Sequence, residues 1–197
     1  MNKLKKSFLI AGFSSFFSSY SIAVETLNSD ATVIVNNAFT LSETAEMTFG
    51  TIRATAHVNG INTASLTLPA DGTAGAVTAA TPADANIVVI NQGTPASFSI
   101  TDAAPFTTLT LTLPTNAITL ATPGGDAEFT VDTFNAIIRG GQNDGDAYTT
   151  GTPNLRTDAS GAVNFDVGAT LHTDANSAPS DYLDGTYTGT YQIQVDY

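Results

Sequence analysis

Cysteine and tryptophan are absent from this chain, histidine occurs only at positions 57 and 172, and lysine is confined to Lys3, Lys5 and Lys6. Without cysteine no disulfide can staple the fold, so stability has to come from buried apolar surface, which a chain of 197 residues can supply. Positive charge is equally scarce. If the three lysines leave with an N-terminal leader, Arg53, Arg139 and Arg156 face all 18 acidic residues, and the net charge moves from −12 to −15. Such a surface repels phosphate backbones and anionic lipid heads, which excludes nucleic acid as a partner. The loss of lysine also excludes lysine-to-asparagine isopeptide crosslinks.

The leader is read from Lys3, Lys5 and Lys6, the apolar stretch Phe8 to Phe17, and Ser21-Ile22-Ala23, a small-x-small cleavage pattern. Residues 1–23 are therefore expected to be a signal peptide and 24–197 one exported domain, in the periplasm, on the cell surface or outside the cell. No later run is long and apolar enough for a transmembrane helix.

What remains is a chain of short β-type runs punctuated by Gly, Pro, Asn and Asp. Strands are predicted over Ala31–Leu41, Met47–Ala54, Ser65–Leu68, Ile87–Ile90, Ala96–Thr101, Thr107–Leu113, Ile118–Ala121, Ala127–Phe134, Ala162–His172 and Thr186–Tyr197. Leu109, Leu111 and Leu113 alternate with threonines, and Val163, Phe165, Val167, Ala169 and Leu171 repeat the pattern. Each such strand has one dry face and one wet face, as in antiparallel sheets packed face to face. The expected fold is all-β, a single immunoglobulin-like antiparallel β-sandwich. Ile87-Val88-Val89-Ile90 is apolar on both faces and is expected to be more central. Residues 72–86 and 139–159 read as long loops.

No motif supports catalysis. His172 follows the alternation onto the wet face with Asn164, Asp166 and Thr170, His57 precedes the turn Asn59-Gly60, and neither sits in a nucleophile or metalloprotease pattern. A noncatalytic protein without a cofactor is expected. Asp144 and Asp146, in Asn143-Asp144-Gly145-Asp146, are the weak calcium candidates, although a solvated turn uses the same residues.

The end of the chain is patterned to its last residue. Tyr187, Tyr191, Ile193, Val195 and Tyr197 share one face, with Thr186, Thr188, Thr190, Gln192, Gln194 and Asp196 on the other. Phe49-Gly50-Thr51-Ile52, a central glycine pair, Val167-Gly168-Ala169-Thr170-Leu171 and this ending resemble an uncharacterised family of small secreted bacterial β-sandwich domains. Gly185, twelve positions before the aromatic Tyr197, is also similar to the ending of chaperone-usher pilins, especially the archaic spore-coat-like group. That second resemblance implies a fimbrial or surface subunit whose C-terminal strand is held by a periplasmic chaperone. It further implies self-association, in which a neighbour donates an N-terminal strand. Ala31, Val33, Val35, Phe39 and Leu41 alternate as a donor strand would, and equally as the domain's own first strand. The other readings are a secreted binding module for glycan or protein, with Tyr148 as its aromatic platform, and a small outer-membrane barrel, which the short runs and missing tryptophan disfavour.

Overall fold

The computed structural model describes residues 26, 30–35, 38–56, 62–81, 84–174 and 182–197; the predicted leader and His57 lie outside them. The chain divides into a unit at 1–35 and a unit at 36–197. In the first, residues 30–35 have no regular structure and are exposed.

The second unit is all-β among its described residues. Its strands are β1 (Thr40–Ala45), β2 (Thr51–Thr55), β3 (Ser65–Leu68), β4 (Ala76–Thr78), β5 (Asn86–Asn91) and β6 (Ala96–Thr101), followed by β7 (Thr108–Thr112), β8 (Ile118–Leu120), β9 (Phe129–Arg139), β10 (Leu155–Arg156), β11 (Val163–His172) and β12 (Gln194–Asp196). Every pairing is antiparallel.

The largest sheet is organised on β11, whose Val163, Phe165, Val167, Ala169 and Leu171 are all buried, as their alternation predicts. One edge of β11 pairs with β9 along its length. Its other edge is shared, with β6 opposite Val163–Val167 and β3 opposite Ala169–His172. Gly168 sits where β6 gives way to β3, and a Cβ there would lie 2.2 Å from the Leu68 carbonyl oxygen, so only glycine admits the close approach. β1 extends the sheet beyond β6, β4 beyond β3, and β8 beyond β9.

Two smaller sheets, β10-β7-β12 and β2-β5, bring their apolar residues to this one. Leu109, Leu111 and Leu155 complete one core cluster with Ile100, Ile138 and Phe165. Ile87 completes a second with Leu66, Phe129, Val131 and Leu171, and Ile52 packs at its margin.

Four expectations change. The strand predicted to end at Phe134 continues to Arg139. Thr133 takes a left-handed backbone with φ 52°, and Thr133 and Phe134 together face Ala169, so a bulge shifts the dry face from Phe129 and Val131 to Ala136 and Ile138. That shift reads in the sequence as the end of a strand. Residues 72–86 and 139–159 are not wholly loops, since they hold β4 and β10. The run Ile87–Ile90 is not central: it belongs to a two-stranded sheet, and Val88 and Ile90 are 46 and 56 % exposed. Finally, of the strand predicted over Ala31–Leu41 the described residues are regular only from Thr40, where β6 offers an edge to pair with.

Candidate assembly site

The C-terminal segment is held at several points along its length. At its start the Tyr182 ring stacks on Phe129 with centroids 4.1 Å apart, and its hydroxyl donates to the Glu128 carbonyl oxygen at 3.0 Å. Burial raises the Tyr182 phenol above its ordinary value. Tyr187 meets Phe129 edge-on at 5.1 Å and donates its hydroxyl to the Leu183 carbonyl oxygen. Thr188 exchanges both backbone hydrogen bonds with Ala121 at 3.0 and 3.1 Å, beside the end of β8. The next residue has to be small, because a Cβ on Gly189 would lie 2.3 Å from the Thr119 carbonyl oxygen.

Beyond Gly189, Tyr191, Ile193 and Val195 pack against the first core cluster while Gln192, Gln194 and Asp196 are exposed. The predicted alternation is therefore present, but regular pairing is confined to Gln194–Asp196, opposite Thr112–Thr110 of β7. Tyr191 lies 5.5 Å from the Phe134 ring centroid, and its hydroxyl is buried without a partner among the described residues. Burial, with a smaller contribution from Glu43 and Glu46, pushes that hydroxyl up to about 12. No residue from Tyr182 to Tyr197 is fully buried, despite the apolar character of the inward face. Sequence reasoning named the correct face and missed its incomplete cover, for which the sequence carries no signal.

The positions singled out as a donor strand fall in different places. Ala31, Val33 and Val35 precede the β domain, whereas Phe39 packs on Tyr197 and Leu41 pairs opposite Ile100 in β1. The residues Val33, Ile34 and Val35 are 85, 95 and 74 % exposed.

The polar candidates have local structural tasks. Asp144 accepts from the Gly140 backbone N–H at 2.8 Å, while Gly145 and Asp146 exchange backbone hydrogen bonds with Ile138, which folds 140–146 into a turn against β9. No group of three or more His, Cys, Asp or Glu residues suited to a metal occurs among the described residues. The His172 Nε2 lies 3.0 Å from Asp132 Oδ1, the same oxygen that accepts from the Thr133 hydroxyl. Tyr148 accepts from the Leu111 N–H and packs, partly buried, against the first core cluster. Arg139 Nε reaches Asp166 at 2.8 Å, and Asp166 also accepts from Ser97 at 2.7 Å, a pairing that ties β9, β11 and β6 together.

These features define an all-β domain of antiparallel sheets with a partly covered C-terminal strand. The chain belongs to the DUF4402 family, a domain of unknown function, which matches residues 39–197. No curated protein and no solved structure matches it. No helix among the described residues is long and apolar enough to cross a membrane.

Proposed function

We propose that this protein is a noncatalytic structural subunit of an exported surface or fimbrial assembly, built on an immunoglobulin-like sandwich and joined by strand addition. Its C-terminal strand would be held by a periplasmic chaperone before assembly. The observation that carries this reading is the terminal strand itself: Tyr191, Ile193 and Val195 pack on the core, yet each is only partly buried. Partly covered apolar surface beside unpaired strand edges favours addition of a further strand. The acidic surface and the leader pattern agree with export.

A membrane barrel is the weaker reading, since strands that cross a bilayer need about nine to eleven residues with apolar side chains facing lipid. Among the described residues only β9 and β11 are that long, and most of their apolar residues are buried in the core. A self-complete secreted binding module is the other alternative, and the exposed apolar segment Val33–Val35 speaks against it.

The test is expression with the leader intact, followed by fractionation and negative-stain microscopy of shed and cell-bound material. Linear assemblies that dissociate to a single chain in denaturant are expected. A protein that stays monomeric at high concentration and on the cell would overturn the proposal.

A further inference from the structure

Three Asp-Gly pairs fall within the described residues: Asp71-Gly72, Asp144-Gly145 and Asp184-Gly185. Such a pair can cyclise, because attack of the glycine nitrogen on the aspartate side-chain carbon closes a five-membered ring and glycine has no side chain to obstruct it. The reaction needs a backbone N–H that is not engaged as a donor and a carboxyl that is not held as an acceptor.

In two of the pairs both groups are taken. The Gly72 N–H donates to the Pro69 carbonyl oxygen at 3.2 Å, and Asp71 Oδ1 accepts from the Thr73 hydroxyl at 2.6 Å and the Thr73 N–H at 2.9 Å. Those hydrogen bonds from Thr73 hold the Asp71 carboxyl below its ordinary range, which keeps it ionised and a poor electrophile. The Gly145 N–H donates to the Ile138 carbonyl oxygen at 2.9 Å, and Asp144 Oδ1 accepts from the Gly140 N–H at 2.8 Å. At the third pair neither group has a hydrogen-bond partner among the described residues, and Asp184 and Gly185 are both exposed.

We propose that Asp184-Gly185 is a site of spontaneous covalent modification, where aspartate converts through a succinimide to isoaspartate. The Gly185 nitrogen attacks Cγ of the protonated Asp184 carboxyl, the N–Cγ bond forms, and the amide proton and the carboxyl hydroxyl leave as water. Water then adds to one of the two imide carbonyls. Opening at Cγ restores aspartate, whereas opening at the α-carbonyl leaves Gly185 joined through Cγ, so that the main chain runs through the side chain. Nothing is oxidised or reduced, and the mass returns to that of the parent.

The position of the pair gives the change a structural consequence. Asp184 and Gly185 line a groove of about 770 Å³ whose base includes Leu120, Phe129 and Leu171 and whose other wall is residues 46–54. Tyr182 is fixed on one side of the pair through Phe129 and Glu128, and Tyr187 on the other through Phe129 and the Leu183 carbonyl oxygen. An isoaspartyl link inserts an extra carbon into the main chain between these two anchors. The Tyr187 contact to Leu183, which spans the inserted atom, is the first to be displaced. This inference goes beyond the assembly reading and does not depend on it.

Trypsin cuts this chain after Arg53, Arg139 and Arg156, so the three pairs fall in separate peptides, 54–139, 140–156 and 157–197. The folded full chain is aged in mildly acidic buffer, and each peptide is assayed with an isoaspartyl methyltransferase and mapped by electron-transfer fragmentation. Isoaspartate at 184 should form at least about tenfold faster than at 71 or 144, because those two pairs react only after local opening. Asp184→Glu, which would have to close a six-membered ring, should keep peptide 157–197 free of it. Asp184→Asn should speed the conversion, with ammonia leaving in place of water. Asn59-Gly60 lies outside the described residues, and its deamidation changes the mass of peptide 54–139, which separates it from reaction at Asp71. In urea the three rates should converge. Equal rates in the folded protein, or an aged peptide 157–197 without isoaspartate at 184, would overturn the proposal. The same tenfold preference persisting in urea would assign it to sequence and overturn the structural argument.

Discussion

The ring of Tyr197, the last residue, meets the ring of Phe39 edge-on, with centroids 5.4 Å apart and planes at 67°. The two ends of the family domain are thus in contact, and the Tyr197 hydroxyl also accepts from the Ala104 backbone N–H at 3.3 Å. A carboxyl terminus anchored in this way has little freedom to fray.

Edge-on aromatic pairs contribute about 0.5–1.5 kcal/mol beyond their area, so a double-mutant cycle of Phe39→Ala and Tyr197→Ala should return a coupling in that range. Urea unfolding measures it. Strictly additive effects would mean that the two ends are neighbours without energetic contact.

Replacing Ile193 and Val195 with serine should destabilise the domain by about 2–3 kcal/mol, less than for fully buried residues because both are only partly buried. The opposite face is the control. Gln192 and Gln194 are exposed, and their replacement by serine should cost no more than about 0.5 kcal/mol. Equal effects of the two pairs in thermal unfolding would show that the packing on the first core cluster contributes nothing.

Gly189→Ala tests the close passage beside β8. The new methyl group would lie 2.3 Å from the Thr119 carbonyl oxygen and 2.7 Å from Leu120 Cδ2, so the backbones must separate, at a cost of about 1–3 kcal/mol. Gly72→Asn is the matched control, since nothing lies within 4 Å of its Cβ position and asparagine tolerates the left-handed backbone there. A Gly189→Ala protein as stable as the parent would place the terminal segment farther from β8.

Tyr191 links the terminal strand to pH. Burial and the neighbouring carboxylates raise its hydroxyl from an ordinary 10 to about 12, so the folded state keeps this proton longer than the unfolded chain does. Its contribution is complete below the ordinary value and is lost as pH rises from there through about 12. Tyr191→Phe should flatten this part of the alkaline stability curve. Near neutral pH it should be neutral or stabilising by up to about 1 kcal/mol, because the removed hydroxyl is buried without a partner. A marked loss of stability near neutrality would reveal a hydrogen bond at that hydroxyl.

The strands most legible in the sequence were those buried on one face. Val163 to Leu171 and Leu109 to Leu111 follow strict alternation because every second side chain meets the core. β4 and β10 were not legible for the opposite reason: Ala76–Thr78 is exposed throughout, and Leu155 is the only buried residue of its strand, so neither has a period to read. Their extended form comes from pairing with β3 and β7. The flip at Thr133 hid the second half of β9, since one left-handed residue exchanges the two faces without any change in composition. The candidate site divides in the same way, its inward face being legible in the terminal strand and its incomplete cover not.

By itself the sequence determined the all-β class, the dry faces of its alternating strands and the acidic surface, because each depends on side-chain type and spacing along one stretch of chain. Only the tertiary structure decided which edges are paired. It set β2 and the terminal segment on opposite sides of an apolar groove, brought Phe39 to Tyr197, and left Val88 and Ile90 exposed although their neighbour Ile87 is buried. Pairing joins residues far apart in the chain, and one strand pattern is compatible with many partners. The selection among them comes from the packing of the whole domain.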